Sequence, residues 1–252
     1  MQKKPDSQCS NDWEKANTNA SNHFSLKTMG FFCKLGKLRY DQRTLMIKII
    51  AVALLTVLLC NPKAQAAPTQ LFDGVSFAGW EGDTNKTFRI ENGCLVGGTL
   101  KAAIPRNEFL CTTRSYTNFV AELDFKLIGN GANAGFQFRT QRIPNHHEVS
   151  GYQADLGDPA WWGCLYDESR RNKVLAKPDA ATLAQAIHRD QWNHYKIRCD
   201  GKRIQIWLNG IKTVDYVEAE PNIPAGGIIG LQIHGGPASE AWYKNLALQI
   251  LP

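Results

Sequence analysis

The feature of this sequence that most limits its fold is a series of short runs in which apolar and polar residues alternate. These runs lie between residues 87 and 250, and several are separated by turn signals such as Asp200-Gly201 and Asn209-Gly210. Alternation with a period of two puts successive side chains on opposite faces of a strand. Asp-Gly and Asn-Gly are strong hairpin signals. The pattern therefore predicts an all-β fold, an antiparallel sandwich or barrel.

Nine predicted strands carry this pattern, at residues 87–90, 94–97, 119–127, 135–140, 151–156, 194–199, 203–208, 227–234 and 242–250. Residues 180–188 are the only segment typical of a helix, and that helix is short. Residues 67–252 have the length of one domain. We therefore expect a single all-β domain with at most one short helix.

The distribution of charge argues against nucleic acid as a partner. Residues 1–66 contain 10 Lys/Arg and 4 Asp/Glu, whereas residues 67–252 contain 19 of each. A protein that follows a phosphate backbone needs a positive surface, and the predicted domain has no net charge. It also has no phosphate-binding glycine loop and no dinucleotide fingerprint, which argues against nucleotides.

Residues 46–66 have the pattern of a secretory signal peptide. Lys48 precedes an apolar stretch at 49–60, and Ala64-Gln65-Ala66 matches the A-x-A cleavage pattern. The apolar stretch is shorter than the roughly 20 residues of a membrane span. We therefore expect export to the periplasm or the extracellular space, a mature N-terminus at Ala67 and no membrane span after cleavage. Residues 1–45 are then a non-structural extension or follow from a mis-assigned start; a real cytoplasmic extension is the alternative.

Four cysteines remain after the predicted cleavage: Cys94, Cys111, Cys164 and Cys199. Cys94 and Cys111 flank one hairpin-like stretch, so the predicted disulfides are Cys94–Cys111 and, by default, Cys164–Cys199. Closing a loop of this length is worth about 3 kcal/mol in the chain-entropy model. Four buried free thiols are the alternative. No Cys/His spacing indicates a zinc site.

The polar faces of the predicted strands have an unusual composition. They carry Gln137, Arg139, Gln153, Asp155, Gln232 and His234. Amide, guanidinium, carboxylate and imidazole groups hydrogen-bond vicinal hydroxyls, and Trp80, Trp161 and Trp162 offer flat surfaces for the C–H face of a sugar ring. These residues would suit a carbohydrate site. An ordinary hydrated sheet with core tryptophans explains the alternation equally, and both interpretations stay open.

His146-His147-Glu148 resembles a metal-binding sequence but lies at a Pro144-Asn145 turn. Adjacent residues in a strand point in opposite directions, so both histidines would rarely reach one ion. No metal ligand and no cofactor are predicted, although the polar sheet face leaves a divalent ion open. No oligomeric state is predicted.

Several short motifs follow one another through residues 70–251. They include Leu71-Phe72-Asp73-Gly74 with Gly79-Trp80, Phe88-Arg89-Ile90-Glu91-Asn92-Gly93, Asn133-Ala134-Gly135-Phe136-Gln137-Phe138-Arg139 and Gly230-Leu231-Gln232-Ile233-His234-Gly235. In this order they resemble the 3-keto-disaccharide hydrolase family. The resemblance implies a concanavalin A-like jelly-roll sandwich, an exported protein and carbohydrate as the partner. The segment Gly151-Tyr152-Gln153-Ala154-Asp155 departs from the commoner family pattern, E-x-Q, so the substrate is not carried over.

The resemblance also implies cleavage of glycosides whose C3 hydroxyl has been oxidised to a ketone by a separate dehydrogenase. The ketone acidifies the C2 hydrogen, and the enolate formed when that proton is removed expels the C1 substituent. Such a site needs a base, a donor for the enolate oxygen and an acid for the leaving group.

We assign these roles as hypotheses. Asp155 or His234 is the base, Arg139 stabilises the oxyanion, and Tyr166 is the leaving-group acid. Gln137, Gln153 and Gln232 bind hydroxyls, and Trp161 and Trp162 bind the sugar ring. Asp167, Glu168 and Arg170 are expected to form a structural ion-pair turn. A non-catalytic sugar-binding module and a structural domain without a ligand are the alternatives.

Overall fold

The structure is a computed structural model that describes residues 67–158 and 161–252. The predicted extension at 1–45 and the predicted signal peptide at 46–66 lie outside the described residues. Within the described residues, no helix has the length and apolar character needed to cross a membrane.

The described part of the chain is built almost entirely from strands. They are β1 (Thr69–Gln70), β2 (Trp80–Glu81), β3 (Phe88–Glu91), β4 (Cys94–Thr99), β5 (Glu108–Tyr116), β6 (Phe119–Ile128), β7 (Asn133–Arg142), β8 (Val149–Gly157), β9 (Leu165–Glu168), β10 (Lys173–Ala176), β11 (Asn193–Asp200), β12 (Arg203–Leu208), β13 (Ile211–Val217), β14 (Gly227–Ile233) and β15 (Ser239–Ile250). All nine predicted strands are confirmed, with differences of at most three residues at either end. The pattern predicts neither β5, β9, β10 and β13 nor the two-residue strands β1 and β2.

Helix α1 (Ala180–Ala186) confirms the predicted short helix, and it ends two residues earlier than expected. Asp179 caps it, because the Asp179 carboxylate accepts a hydrogen bond of 2.7 Å from the Thr182 N–H. Asp is a favoured N-cap residue because its side chain satisfies a free backbone donor of the first turn.

The strands form two antiparallel sheets. Sheet 1 has the order β13-β12-β11-β6-β15-β4-β3, with β1 also paired to β15; sheet 2 has the order β10-β9-β8-β7-β14-β5-β2. Neighbours in a sheet are often distant in sequence, as expected for a jelly roll. The fold is therefore the predicted antiparallel jelly-roll sandwich of the concanavalin A-like type.

The core lies between the two sheets and is rich in aromatic side chains. In β6, residues Phe119, Ala121, Leu123, Phe125 and Leu127 are buried and alternate with half-exposed residues. The rings of Phe125 and Tyr195 lie 4.8 Å apart across β6 and β11. Burial of apolar area on this scale is the main favourable contribution to the free energy of folding.

Two core tyrosines of sheet 1 also hold the backbone of sheet 2. The Tyr195 hydroxyl donates to the Asp155 carbonyl at 2.6 Å, and the Tyr243 hydroxyl donates to the Gln232 carbonyl at 2.7 Å. Both tyrosines are fully buried. Because Asp155 and Gln232 lie on β8 and β14, these bonds fix two of the strands that carry the predicted site.

The tip of the β7–β8 hairpin, residues 141–150, folds back over the outer face of sheet 2. The pairing of β7 with β8 is irregular between Phe138 and Gln141. Beyond that irregularity, the Arg142 guanidinium donates to the Glu81 carbonyl at 2.8 Å. Since β14 and β5 lie between β7 and β2 in the sheet, the tip must cross both of them.

Side chains of the hairpin tip pack against sheet 2. Val149 is fully buried against Phe109 and Cys111 of β5. Glu148 accepts a hydrogen bond of 3.3 Å from the Asn107 side chain. The outer face of sheet 2 is therefore largely enclosed, which is unusual for the solvent-facing side of an antiparallel sheet.

The predicted disulfides are wrong, because all four cysteines are free and buried. Cys94 lies on sheet 1 near Lys126 and Lys244, whereas Cys111 lies on the outer face of sheet 2 under Val149. The sandwich thus separates the first pair. Cys199 packs in the core between the sheets, whereas Cys164 is no part of that core cluster.

Candidate functional site

Four predicted polar residues meet on the outer face of sheet 2. Gln137 on β7 stands opposite Gln153 on β8, and Gly135 stands between Gln232 on β14 and Asp155 on β8. The intervening residues, such as Phe136, Ala154 and Leu231, point into the core. Period-two alternation therefore turns the amides and the carboxyl outward together. We call Gln137, Gln153, Asp155 and Gln232 the amide–carboxyl cluster.

The cluster is buried in spite of its outward direction. The exposed fraction is 0% for Gln137 and Gln232, 2% for Gln153 and 3% for Asp155. The end of β9 and the hairpin tip meet over this face, because Glu168 accepts a hydrogen bond from Gln232 and Ser169 donates one to Glu148. A buried polar group is costly unless it is hydrogen-bonded, so the partners of these side chains define what the site can do.

Hydrogen bonds order most of the cluster. Gln137 Nε2 donates to Gln153 Oε1 at 2.5 Å, and the Thr140 hydroxyl donates to Gln137 Oε1 at 2.9 Å. Gln232 Nε2 donates to Glu168 Oε2 at 3.2 Å. Glu168 is therefore part of the site and not of the predicted ion-pair turn.

Two amide oxygens, one in the cluster and one from the same strand as Gln137, have no hydrogen-bond partner in the described part of the chain. They are Gln232 Oε1 and Asn133 Oδ1, and both are buried. Gln232 stands opposite Gly135, and Asn133, two residues before Gly135 on β7, lies against Gly157 of β8. Unpaired buried acceptors are rare in folded proteins. They suit a ligand that donates hydrogen bonds.

Asp155 has the most strongly perturbed carboxyl of the cluster. Burial raises its pKa to about 8, and the negative charge of Glu168 acts in the same direction. Hydrogen bonds from the Leu156 N–H, at 2.9 Å, and from Gln153 oppose the rise. A carboxyl of this pKa can take or give a proton near neutral pH.

Two further ionisable groups lie near Asp155. Burial and the negative charge of Glu148 raise the pKa of Glu168. Burial, followed by the charges of Glu168 and Asp155, raises the pKa of the Tyr166 hydroxyl. Tyr166 stands opposite Gln153 across β8 and β9 and is half-exposed. Its hydroxyl thus stays protonated at neutral pH.

Arg139 does not join the cluster. Its backbone has φ of 49° within the irregular part of β7, which interrupts the alternation. The guanidinium donates to the carbonyls of Thr117 and Gly201, at 2.8 Å each, and to Asn118 Oδ1 at 3.1 Å. Arg139 therefore ties sheet 2 to two turns, and the predicted convergence of Arg139 with Asp155 is not seen.

His234 lies at the rim of the site. It follows the last residue of β14, is exposed, and its Nδ1 lies 2.6 Å from the Gly235 carbonyl. Its charge lowers the pKa of Glu168, so its electrostatic partner is Glu168 and not Asp155. The structure thus favours Asp155 over His234 for contact with the buried amides.

The tryptophans divide between the site and the core. Trp161 is half-exposed, and its ring meets Tyr166 edge-on at 5.8 Å. Trp162 is buried against Phe125, and Trp80 is buried with its Nε1 donating to the Leu71 carbonyl at 2.8 Å. Trp161 therefore stands beside the cluster, whereas Trp162 and Trp80 are core residues.

The predicted ion-pair turn is present in part. Asp167 is fully buried and bonds to Arg170 and Arg171, and Arg171 also bonds to Glu218 at 2.8 Å.

The two histidines of the hairpin tip lie side by side. His146 and His147 stack on each other at 4.4 Å, and His147 Nε2 lies 3.5 Å from Glu148. Among the described residues, no three His, Cys, Asp or Glu side chains are grouped as metal ligands.

One protein-family model matches nearly the whole of the described domain. The model of the 3-keto-alpha-glucoside-1,2-lyase-like domain matches residues 67–249. No curated protein matches the chain.

Three of the solved structures with a similar fold come from two bacteria. A candidate glycosyl hydrolase from Parabacteroides distasonis ATCC 8503 is 21% identical, with a TM-score of 0.55 over 73% of this chain and 94% of that chain. The carbohydrate-binding module CBM66 from Bacillus subtilis is 18% identical, with a TM-score of 0.52 over 68% and 95%. A Bacillus subtilis protein of unknown function with a galectin-like fold is 11% identical, with a TM-score of 0.53 over 73% and 96%. These similarities show a shared fold.

Proposed function

Because the chain belongs to the 3-keto-alpha-glucoside-1,2-lyase-like family, we propose that it is an exported enzyme that cleaves 3-keto-glycosides, with Asp155 as the group that takes the C2 proton. Membership of the family gives the chain a carbohydrate-related role. The catalysis, the oxidised substrate and the export are the proposal.

The observation that carries the proposal is the environment of Asp155. Its pKa is raised to about 8 by burial, and it lies among the three amides of the amide–carboxyl cluster. A carboxylate with this pKa is a much stronger base than an exposed aspartate, and it is available near neutral pH. A site that only bound hydroxyl groups would not need such a carboxyl.

The reaction needs no second carboxylate on the opposite side of the sugar. Asp155 takes the C2 proton, and the electron pair of the C2–H bond forms an enolate with the C3 ketone. When the ketone re-forms, a C1=C2 double bond appears and the C1–O bond breaks. The departing oxygen takes a proton from Tyr166. Addition of water to the unsaturated sugar completes a net hydrolysis.

The amides supply the remaining interactions. Gln153 is held by Gln137 and hydrogen-bonds Asp155, so its side-chain N–H is placed to donate to the enolate oxygen in the role first assigned to Arg139. The free oxygens of Gln232 and Asn133 accept hydrogen bonds from sugar hydroxyls. An acceptor that is paired only when a ligand is bound favours ligands that carry a donor at that position. Trp161 contacts the sugar ring from the open side.

Substrate entry requires a movement of the segments that lie over the amide–carboxyl cluster. Asp155 and the three glutamines are 0–3% exposed, so a sugar reaches them only when the hairpin tip or the turn after β9 is displaced. Closure after binding then excludes water from the enolate, which strengthens each hydrogen bond to it.

The test uses p-nitrophenyl 3-keto-α-glucoside as the substrate, with release of p-nitrophenol as the readout, with and without a chelator. We expect turnover by the wild type and a loss of about 100-fold or more in Asp155→Asn. The matched control is Asp158→Asn, an exposed carboxylate paired with Arg189, which should keep wild-type turnover. Binding without release, measured by calorimetry, would instead identify a non-catalytic sugar-binding module.

A further inference from the structure

The outer face of sheet 1, on the opposite side of the sandwich from the amide–carboxyl cluster, carries an aromatic and cationic row. Lys126 on β6 stands opposite Trp242 on β15, and Trp192 immediately precedes β11 beside Lys126. Phe125, Leu127, Ala241 and Tyr243 point into the core, so Lys126, Trp242 and Lys244 point outward. Trp192, Lys126, Trp242 and Lys244 form what we call the tryptophan–lysine strip.

Cations and rings alternate along the strip. The Lys244 ammonium lies 4.0 Å from the centre of the Trp192 ring, and the Lys126 ammonium lies 5.3 Å from Trp192 and 5.5 Å from Trp242. All four side chains are half-exposed. Lys126 therefore sits between the two rings, within reach of a molecule that contacts either of them.

The two lysines of the strip have no carboxylate partner in the described part of the chain. The neighbouring carboxylates are already engaged. Glu122 pairs with Lys196 at 3.2 Å, Asp124 with His194 at 2.8 Å and Glu240 with Arg89 at 2.8 Å. The charges of Lys244 and Lys126 also lower the pKa of the nearby Cys94 thiol against the rise caused by burial. The strip is a local positive site on a domain without net charge.

We propose that the tryptophan–lysine strip binds a carboxylate-bearing glycan, such as a chain of uronic acids. Trp192 and Trp242 lie on either side of β6, and strands about 4.8 Å apart put the two rings about 10 Å from each other. This spacing suits sugar rings within one short segment of a glycan. A carboxylate on such a segment can pair with the Lys126 or the Lys244 ammonium, each of which lies within about 6 Å of a tryptophan ring.

The chemistry of the strip favours a glycan over other anions. Arginine is the preferred partner of phosphate and sulfate because of its planar fork, but Arg89, the guanidinium next to Trp242, is taken by Glu91, Glu240 and the Gly98 carbonyl. A nucleic acid carries a dense row of phosphates. Two lysines on a domain without net charge do not provide the extended positive surface that such a row needs, whereas they can pair with single sugar carboxylates.

The experiment measures binding of the whole protein to polygalacturonate and to a neutral polysaccharide, dextran, by affinity electrophoresis. We expect binding to polygalacturonate alone, with affinity that falls as salt is added. The double variant Lys126→Gln/Lys244→Gln should bind about tenfold or more weakly. The matched control is Lys196→Gln, which removes a lysine of the same face that is paired with Glu122 and should bind like the wild type. Thermal unfolding of each variant establishes that it is folded.

Four outcomes would overturn the proposal: no binding of polygalacturonate by the wild type, equal binding of dextran, a loss in Lys196→Gln as large as in the double variant, or equal binding of single-stranded DNA. The last would identify a general polyanion surface. The strip is independent of the proposed catalytic site, so Asp155→Asn should bind polygalacturonate as the wild type does.

Discussion

Gln153 lies across the space that a side chain on Gly135 would fill. A Cβ added at Gly135 would come 2.2 Å from Gln153 Cδ and 2.4 Å from Gln153 Oε1. Gly135 is also the residue that stands between Asp155 and Gln232 in the sheet. The missing side chain at position 135 is therefore what allows the Gln153 amide to lie against Asp155.

Gly135→Ala should reduce both the turnover of a 3-keto-glycoside and the stability of the fold. The new methyl group collides with Gln153 Cγ, Cδ and Oε1, and because Gln153 is buried we expect a cost of about 1–3 kcal/mol in the free energy of unfolding. Displacement of the amide should lower kcat/KM by about tenfold or more. Steady-state kinetics and denaturant unfolding measure the two effects.

A double-mutant cycle provides the control for this substitution. If Gly135→Ala acts by moving Gln153, it should have little further effect on kcat/KM in a Gln153→Ala background. Equal losses in both backgrounds would show that Gly135 acts through something other than Gln153.

Asp155→Asn should stabilise the protein at neutral pH. The folded pKa of Asp155, about 8, lies above its ordinary value of 3.8, so the folded state holds a proton that the unfolded state has lost. The stabilising contribution of Asp155 is present below about pH 4 and is lost as the pH rises towards 8. Asp155→Asn does not undergo this loss, so its advantage in the free energy of unfolding should grow from pH 4 to pH 8, to on the order of 5 kcal/mol. Chemical unfolding at several pH values measures it. A constant difference from Asp158→Asn across this range would contradict the raised pKa.

Glu218 should show the opposite dependence on pH. Although burial alone would raise its pKa, hydrogen bonds from Arg171 and Tyr152 lower it to about 2, against an ordinary value of 4.5. Its contribution to stability is therefore present above about pH 4.5 and lost as the pH falls towards 2. Glu218→Gln should lower the free energy of unfolding by about 1–2 kcal/mol at pH 7 and by less at pH 3. Glu220, exposed and bonded to the same arginine, is the matched control, and Glu220→Gln should cost less than about 0.5 kcal/mol.

The sequence predicts the sandwich well where one face of a strand is exposed to solvent and the other is buried. β6 is such a strand, and so is β11, whose buried and more exposed residues alternate. β5 is not predicted because the hairpin tip buries its outer face as well. Phe109 and Cys111 pack under Val149 while Leu110 points into the core. A run that is buried on both faces does not alternate, so its pattern does not indicate a strand.

The site could be predicted as far as regular alternation extends. Gln137, Gln153, Asp155 and Gln232 lie within regular strand segments, and counting by two places them correctly. The count fails at Arg139, where the backbone turns to positive φ. Glu168 is missed for a different reason, because it reaches Gln232 from β9 only after the turn folds over the sheet. A local sequence pattern does not predict such a long-range contact. Asn133, by contrast, shares the period-two face of Gly135 and Gln137 and could have been found.

Loosening the hairpin tip should expose the cluster. Arg142 bonds to Glu81 Oε1 at 3.1 Å and to the Glu81 carbonyl at 2.8 Å, which holds the tip across β5. Arg142→Ala should therefore speed alkylation of Cys111, the buried thiol beneath Val149, by about fivefold or more. Peptide-resolved mass spectrometry gives the rate for each cysteine. Cys199 in the core is the internal control, and an equal increase at both thiols would indicate general destabilisation.

The most direct measurement compares cleavage of a 3-keto-α-glucoside carrying hydrogen or deuterium at C2 by the wild type and by Asp155→Asn. If Asp155 takes the C2 proton, deuterium should slow the wild-type reaction, and the variant should be about 100-fold or more slower with either substrate while retaining its fold. Wild-type rates in a folded Asp155→Asn would contradict the account.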